Sequence, residues 1–328
     1  MARKPSEGLP FEEMVRELRA YLAEMAGEAE VTRTLKQLQA AHTGGHRTTR
    51  TESARLRAAA RTSAPEPLIS PLKDDLQKAQ TVVNKLLPSH PPSLPGLDLA
   101  VYNRFCHEVG GDYYDFINLP GDRVALVIAD VSGKGFAAAL VMAMLREVLH
   151  IAAANQPTAA RAVAVTNRLL VPDMPRGMFV TMLYGVINPA EREMSLVNAG
   201  HCPPIIWRPR LTGARVLNLR GPAIGMLDAQ RFTEAIRQKT LPLEPGDCLC
   251  FFTDGISEAK DLLGEEFGGQ RLAQVLRDHA AQPASKIAEA IMAAVDDHTK
   301  GAPQHDDITL IILRVAPAGA AKAEPQGK

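Results

Sequence analysis

Four short acidic motifs carry the residues of this chain that could do chemistry. Each places aspartate at the end of an apolar stretch, next to glycine or another small residue. A carboxylate buried there without a partner is costly, and four of them could offset that cost by sharing cations. Carboxylate and carbonyl oxygens suit hard divalent ions such as Mg²⁺ and Mn²⁺. The motifs are GGDYYD at 110–115, ADVSGKG at 129–135, FFTDGISE at 251–258 and QHDDIT at 304–309.

Together these motifs favour a site for two metal ions. Two divalent ions that share one carboxylate can activate a water molecule for in-line attack on phosphorus. Taken singly, each aspartate is more typical of a helix N-cap or a turn, so the prediction depends on the four motifs meeting in space. The segment SGKG at 132–135 is similar to the end of a nucleotide-binding P-loop, but glycine rather than Ser or Thr follows Lys134. That difference excludes a P-loop.

The elements that must position these motifs follow residue 97. Apolar and alternating segments there predict strands, and runs rich in Ala, Leu and Met predict helices. Long antiparallel strands combined with paired helices are typical of an α+β sandwich. The predicted strands are LDLAVYNRF, YYDFINL, RVALVIAD, a hairpin that turns at Asn188 and Pro189, RFTEAIRQKTL, DCLCFFTD and ITLIILRV. The predicted helices are Phe136–Ala154, Thr158–Leu170, Gln270–Ala281 and Ala284–His298.

The domain organisation changes near residue 97. Residues 1–70 predict a helical and flexible N-terminal region, with apolar residues at helical spacing in its first half. Residues 71–97 combine an amphipathic helix, PLKDDLQKAQTVVNKLL, with a proline-rich connector that ends it. Its apolar stripe needs a partner, either the following domain or another chain. Residues 98–316 form the predicted α+β domain, and 317–328 are a small polar tail that we expect to be disordered.

The composition argues against several classes of partner. Lys plus Arg and Asp plus Glu both number 37, so the net charge is zero, and aromatic residues make up 5%. Neither nucleic acid nor an anionic membrane surface is therefore an expected partner. The longest apolar run, Phe136–Leu145, is too short to cross a bilayer, and the start MARKPSEG lacks a secretory apolar core. We expect a cytoplasmic location and reduced, structural thiols at all four cysteines.

Seven motifs, in order, resemble those of the metal-dependent protein phosphatase family (PPM, type 2C-like), in its bacterial SpoIIE/RsbU-type branch. The resemblance covers the chain from about Leu76 to Val315. It implies a four-layer α-β-β-α sandwich of two antiparallel sheets flanked by helices, here with an N-terminal helical extension. The motifs are VGGDYYD, ADVSGKGFAAALVMAMLR, VNAGHCPPIIW, GPAIGM, LEPGDCLCFFTDGISEAKD, FGGQRL and HDDITLIILRV.

The resemblance also implies roles for particular residues. Asp130 matches the carboxylate that bridges two divalent ions, Mn²⁺ or Mg²⁺, and the backbone carbonyl of Val131 matches the ligand beside it. Asp112 matches the first acidic position of the family. Asp254 matches a ligand of one metal, and Asp306 matches the final ligand. Asp112 and Asp130 are accordingly the predicted catalytic residues.

Four further polar residues near these motifs receive no catalytic assignment. His201 could act as a general acid or serve as a buried turn residue, and the second interpretation is favoured. His305 could support Asp306 by a hydrogen bond. Lys134 could replace the phosphate-binding arginine of eukaryotic relatives, although a solvated loop lysine is the favoured interpretation. Asp307 is a less favoured alternative to Asp306 as the final ligand.

The activity implied by the resemblance is hydrolysis of phosphoserine or phosphothreonine on a signalling protein, by a hydroxide that bridges the two metals. A phosphorylated STAS-domain anti-sigma-factor antagonist is the substrate and partner that the resemblance suggests. The N-terminal helices would then regulate the enzyme or form a homodimer. Two alternatives stay open: a non-catalytic signalling module with the same fold, and a hydrolase of a small phosphoester.

Overall fold

The computed structural model describes residues 81–106, 110–211 and 213–317. The predictions made for residues 1–70, for the first part of the amphipathic helix and for the tail from 318 onward lie outside the described residues. The described residues begin within that predicted amphipathic helix, and residues 81–86 are helical.

Two antiparallel sheets of five strands each form the centre of the described part. The strands are β1 (Leu97–Arg104), β2 (Asp112–Leu119), β3 (Arg123–Val131), β4 (Val180–Asn188), β5 (Glu193–Ala199), β6 (Ile205–Trp207), β7 (Arg215–Val216), β8 (Gln238–Pro242), β9 (Cys248–Phe252) and β10 (Ile308–Val315). The first sheet has the order β1-β10-β9-β6-β7 and the second has the order β2-β3-β4-β5-β8. The predicted α+β sandwich of two antiparallel sheets is therefore confirmed.

Helices flank both sheets. The helices are α1 (Phe136–Asn155), α2 (Ala159–Leu170), α3 (Ala229–Ala235), α4 (Asp254–Ser257), α5 (Gly268–His279) and α6 (Ala284–Thr299), with a short 3₁₀ turn at Val171–Asp173. Helices α1 and α2 share one apolar core with the second sheet, and α5 and α6 share another with the first sheet. A third core lies between the two sheets. These three cores separate four layers, as the resemblance implied.

The central strands are buried on both faces, which explains their continuous apolar sequences. In β3, Val127 and Ala129 face the helices, whereas Leu126 and Ile128 face the opposite sheet. Strand β9 follows the same alternation, because its side chains at 248, 250 and 252 face α5 and α6 and those at 249 and 251 face inward. Cys248 therefore shares a buried face with Cys250, and all four cysteines are free thiols, as predicted.

One predicted strand is partly wrong. The segment RFTEAIRQKTL begins inside helix α3, and its strand starts only at Gln238. The Asp228 carboxylate accepts a hydrogen bond from the Arg231 N–H at the helix start, and Phe232 is fully buried. The N-cap at Asp228 and the burial of Phe232 therefore stabilise a helix where the alternating pattern predicts a strand. The short strands β6 and β7 were not predicted.

Helix α1 is long and apolar enough to span a membrane, by length and composition alone. The unbroken run considered in the sequence stopped at Leu145, but the helix continues for ten more residues. Its inner face instead packs in the protein core, where Val141, Met142 and Leu149 are almost completely buried. A core helix of a globular domain has the same composition, so the length is weak evidence for a membrane span.

The end of the amphipathic helix packs against the domain that follows. Val83 is 8% exposed and belongs to the core of the second sheet, and Leu87 contacts the cores on both sides of that sheet. Arg146 of α1 donates to the carbonyl of Leu86, and the Tyr114 hydroxyl donates to the carbonyl of Pro88. The last turn of this helix is thereby fixed against α1 and β2.

Candidate metal centre

The hairpin of β2 and β3 brings the first two acidic motifs together. In the antiparallel register, Asp112 lies directly opposite Asp130, although 17 residues separate them in the chain. Asp112 is the first residue of β2 and Asp130 is the last but one of β3, so both lie at the same end of the second sheet. The hairpin turn at the other end thus determines the position of both carboxylates.

Asp112 is held by hydroxyl groups of the opposite sheet. Its side chain is buried, and Oδ2 accepts hydrogen bonds from Thr253 Oγ1 at 2.9 Å and from Thr309 Oγ1 at 2.6 Å. Thr309 Oγ1 accepts in turn from Asn103 Nδ2 at 2.8 Å. Burial raises the pKa of Asp112 well above its usual value, and the nearby charge of Asp130 adds to the rise. The two threonines therefore fix one carboxylate oxygen across the sheet interface.

The third and fourth motifs reach the same end of the sandwich through β9 and β10. These strands pair antiparallel, and Asp254 follows β9 while Asp306 lies just before β10. Burial, followed by the negative charges of Asp254, Asp306 and Asp307, raises the pKa of Asp130 to about 7. Lys134 opposes this rise. The structure therefore places the predicted acids within electrostatic reach of one another.

The two neighbouring aspartates of the last motif have different surroundings. Asp307 is buried, and its carboxylate accepts from the backbone N–H of Cys106 at 2.7 Å and of Gly111 at 2.8 Å. Asp306 is about half exposed and forms an ion pair with Lys134, with Nζ and Oδ2 3.3 Å apart. Asp307 is thus occupied by backbone donors. The Asp306 side chain is the more exposed of the two, although its Oδ1 accepts from the Asp307 N–H at 2.9 Å, and its role as the final ligand stays a prediction.

A cradle of oxygen atoms adjoins Gly111. A Cβ atom at this position would lie 2.8 Å from the Val131 carbonyl oxygen and 3.6 Å from Asp130 Oδ1. Only glycine leaves this space open, because the first of these contacts is closer than real Cβ atoms show. The carbonyl of Val131 and the carboxylate of Asp130 therefore face a common space, as two oxygen ligands of a hard divalent ion would. The donor set and this opening both fit the metal ions that the resemblance implies.

The acids do not form a closed coordination shell. Within the ranges that the structure describes, no three His, Cys, Asp or Glu side chains are arranged as a ready-made metal site. The pairing of Asp112 with Asp130 and the mutual effects on pKa nevertheless show one acidic cluster. The cluster is thus an open one.

His201 is a buried and neutral residue under this cluster. Its side chain is 7% exposed, Nδ1 lies 2.8 Å from Thr181 Oγ1, and Nε2 has no hydrogen-bond partner of good geometry. Burial lowers its pKa to about 4, against a smaller opposing effect of the Phe252 backbone. Its backbone is fixed by the Asn198 side chain, which bonds to both the N–H and the carbonyl of His201. A histidine ring that is not in its charged imidazolium form at neutral pH is a poor general acid, so the turn interpretation is favoured.

Lys134 and His305 meet at the edge of the cluster. The Lys134 ammonium donates to the backbone carbonyl of His305 as well as pairing with Asp306. The side chain of Lys134 is half exposed, so its ion pair contributes little to stability. Its position next to the carboxylates nevertheless places one cation beside the site.

The residues that sequence reasoning missed are the ones that support the acids. The hydroxyls of Thr253 and Thr309 donate to Asp112, and the Asn103 amide donates to Thr309. The Asp307 carboxylate ties the backbone before β2 to the fourth motif. A weak signal was present, since Thr253 immediately precedes Asp254 and Thr309 lies two residues after Asp307. Nothing in the sequence, however, indicated that both threonines would meet Asp112.

Comparison with known proteins agrees with this architecture. The family model described as Stage II sporulation protein E (SpoIIE) matches residues 120–316. The chain belongs to the SpoIIE family, a group of phosphatase domains of the PP2C type. The SpoIIE match spans β3 to β10 and so contains three of the four acidic motifs.

Two curated relatives are similar to a larger part of this chain than the SpoIIE model. Protein IcfG of Synechocystis sp. is 30% identical over 73% of this chain and 41% of the relative. Phosphoserine phosphatase RsbU of Bacillus subtilis is 26% identical over 74% of this chain and 70% of the relative. The chain thus spans less than half the length of the first relative.

Solved structures share the fold. The SiaA-PP2C domain of Pseudomonas aeruginosa has a TM-score of 0.66 and 24% identity, over 76% of this chain and 99% of that one. RsbX, solved in complex with magnesium, has a TM-score of 0.51 and 15% identity, over 69% of this chain and 98% of that one. At these identities the two structures establish the PP2C fold of the described domain.

Proposed function

We propose that this chain is a metal-dependent phosphatase that hydrolyses phosphoserine or phosphothreonine on a signalling protein. The observation that carries the proposal is the register pair of Asp112 and Asp130, joined by the charges of Asp254 and Asp306. Membership of the SpoIIE family supports the reaction class. RsbU, whose name describes a phosphoserine phosphatase, supports the choice of substrate residue.

Five groups of this chain would hold the metals. They are the carboxylates of Asp112, Asp130, Asp254 and Asp306 and the backbone carbonyl of Val131. When bound, two divalent ions, Mn²⁺ or Mg²⁺, would supply Lewis acidity for an attacking water and would neutralise the phosphoryl oxygens. Magnesium in the RsbX structure supports this choice of ion.

The chain's own residues would contribute position and charge. Asp130 would bridge the two halves of the site, and Thr253 and Thr309 would keep Asp112 facing it through their hydroxyl protons. Water oxygen would attack phosphorus as the bond from phosphorus to the serine oxygen breaks. No side chain needs to form a covalent intermediate. Burial, followed by the charges of the nearby acids, raises the pKa of Cys202 to about 12, so its thiol stays protonated.

The resemblance suggests the partner and the assembly, and the composition of the sequence suggests the location. We propose a phosphorylated STAS-domain anti-sigma-factor antagonist as substrate, a cytoplasmic location, and regulation or dimerisation through the N-terminal helices. A small phosphoester as substrate remains the alternative, and an assay that compares both substrate types separates the two.

Replacement of Asp130 by asparagine tests the proposed reaction. With Mn²⁺ and either p-nitrophenyl phosphate or a phosphoserine peptide, we expect Asp130→Asn to lower kcat by about 10³-fold or more, because a carboxylate that would hold the metal ions is lost. The metal-free variant should unfold at no lower urea concentration than the parent, since burial and the charge of Asp254 already disfavour an ionised Asp130.

The matched control is Asp122→Asn, in the turn at the far end of the same hairpin. Asp122 is exposed and has a positive φ of 55°, which asparagine also adopts readily. This control should keep full activity. Equal turnover by Asp130→Asn and the parent would contradict the proposed site, and an inactive parent would favour the non-catalytic alternative.

A further inference from the structure

A short loop beside the candidate metal centre exposes two large apolar side chains. Residues 260–266, which we call the dileucine loop, follow helix α4 and the segment that carries Asp254. Leu262 is 73% exposed and Leu263 is 87% exposed. Among the large apolar residues that the structure describes, these two are the most exposed. Neighbouring exposed leucines of this kind mark an interaction site more often than scattered single ones do.

The dileucine loop is held in a fixed shape. Asp261 Oδ1 accepts from the backbone N–H groups of Leu263 at 2.8 Å and Glu265 at 2.9 Å, and the Asp261 N–H donates to the Glu265 carbonyl at 3.0 Å. His298 Nε2 of α6 lies 3.0 Å from the Glu265 carbonyl. Phe267, directly after the loop, is buried. The leucines are therefore presented by an ordered backbone, which lowers the entropy that binding must remove.

A cleft adjoins both the start of the dileucine loop and the edge of the acidic cluster. Its lining includes Asp306 and Lys134 of the cluster, Gly255 next to Asp254, and Glu258 and Lys260 at the start of the loop, and the two leucines lie just outside it in the chain. A phosphorylated residue that reached the carboxylate cluster would thus have its neighbouring residues in the cleft and over the loop. This continuity indicates the protein substrate itself as the occupant, rather than an unrelated partner.

The charges around the leucines restrict the chemistry of that occupant. Asp261, Glu265 and Glu266 lie within the loop and Glu258 lies just before it. Two basic residues oppose these four acids, Lys260 within the loop and Arg271, which donates to the carbonyls of Glu266 and Phe267. Lys260 is 3.9 Å from Glu266, so part of its charge is compensated there. A complementary segment carries lysine or arginine beside its apolar residues, because opposite charges steer and orient such contacts.

We propose that the dileucine loop is a docking element for the phosphoprotein substrate. It binds a segment that combines a large apolar residue with lysine or arginine, at a fixed distance in sequence from the phosphorylated serine. This inference rests on the proposed function, since it places the phosphoserine at the candidate metal centre. Exposed leucines give affinity through the apolar area that they bury, and the acidic rim gives selectivity.

A phosphoserine peptide library tests the proposal without knowledge of the natural substrate. Peptides with one fixed phosphoserine and one varied residue at each flanking position are hydrolysed by the full chain with Mn²⁺. The parent, the double variant Leu262→Ser/Leu263→Ser and the control Val216→Ser are compared. Val216 is 58% exposed on the edge strand β7, so the control removes an exposed apolar side chain outside the cleft.

We expect the parent and Val216→Ser to favour peptides with a large apolar and a basic residue by about fivefold or more in kcat/KM, as loss of an apolar contact of this size would predict. The double variant should lose that preference and hydrolyse p-nitrophenyl phosphate at the parental rate. An unchanged preference in the double variant, or an equal loss with p-nitrophenyl phosphate, would overturn the docking role. Hydrolysis of p-nitrophenyl phosphate but of no peptide would also overturn it. An inactive parent on both substrates would refute the proposed function instead.

Discussion

At the scale of single residues, burial acts in opposite directions on the acids and on the histidine of this site. It raises the pKa of Asp112 and Asp130 and lowers the pKa of His201. Each shift favours the neutral form of the side chain, because a low-dielectric surrounding disfavours charge of either sign. The folded chain without cations therefore carries an electrostatic cost at the acidic cluster. A divalent cation would relieve that cost.

His201 gives a pH dependence of stability that can be measured. Its pKa is about 4 in the folded chain, whereas the unfolded chain binds the proton near its ordinary value of 6.5. The unfolded state therefore gains more protons as the pH falls, and the fold loses stability through this residue between about pH 6.5 and pH 4. From pH 7 to pH 5 we expect a loss of about 2 kcal/mol from His201 alone.

The free energy of unfolding, measured with urea in EDTA at pH 7 and pH 5, checks this expectation. The variant is His201→Gln, because glutamine has no group that titrates between these pH values. The variant should show a smaller loss of stability on acidification than the parent. His90→Gln, at an exposed position, should keep the parental dependence. The same pH dependence in His201→Gln and the parent would show that His201 is already accessible to protons in the fold.

At the scale of elements, a second acid on β2 attaches helix α1 to the strand that begins with Asp112. Asp115 is 5% exposed and accepts from the Tyr113 hydroxyl at 2.7 Å and from the Phe116 N–H at 2.7 Å. His150 Nε2 of α1 lies 2.7 Å from the same carboxylate. Since α1 also contacts the end of the amphipathic helix through Arg146, one polar network joins that helix, α1 and β2.

Asp115→Asn should destabilise the fold. Asparagine offers one acceptor oxygen instead of two and turns a donor group toward Tyr113 or His150, so at least one buried hydrogen bond is lost. We expect a loss of about 2 kcal/mol in the free energy of unfolding, typical of a buried charged acceptor. Urea unfolding measures it, with Asp122→Asn as the exposed control on the same hairpin. A stability equal to that of the control would mean that the network is not required for the attachment of α1.

At the scale of the whole molecule, the described domain includes the end of the amphipathic helix. Val83 and Leu87 contribute to its apolar cores, and the Leu86 carbonyl accepts from Arg146. The chain divides into two units, Met1–Leu68 and Ile69–Lys328, and all described residues belong to the second unit. The boundary of the independently folding part should thus lie before the amphipathic helix and not after it.

Two truncations test this boundary. Removal of residues 1–68 should leave the unfolding midpoint and the hydrolysis of p-nitrophenyl phosphate unchanged. Removal of residues 1–88 should lower the free energy of unfolding by about 3 kcal/mol or more, since two apolar side chains lose their burial. Thermal and urea unfolding of both fragments provide the measurement. Equal stability of the two fragments would show that the helix only rests on the domain.

The sequence by itself determined the two classes of element and the location of the acids. Strands such as VALVIA and the long alanine-rich helix were predictable because apolar periodicity reflects local burial, which each segment carries in its own residues. The segment from Arg231 to Leu241 was predicted less well, because the cap at Asp228 and the burial of Phe232 compete with its alternating pattern. Short β6 and β7 contain too few residues for any periodicity to be visible.

Only the tertiary structure decided which groups surround each acid. Two threonines that are 56 residues apart in sequence both donate to Asp112, and the buried Asp307 carboxylate accepts from the distant backbone N–H groups of Cys106 and Gly111. The pairing of β9 with β10 and the packing of the two sheets create these contacts. No local pattern encodes them, because a hydrogen bond across two sheets depends on the register of strands that are distant in the chain. The exposure of Leu262 and Leu263 is a tertiary fact for the same reason, since an apolar residue is a docking group only where the fold leaves it uncovered.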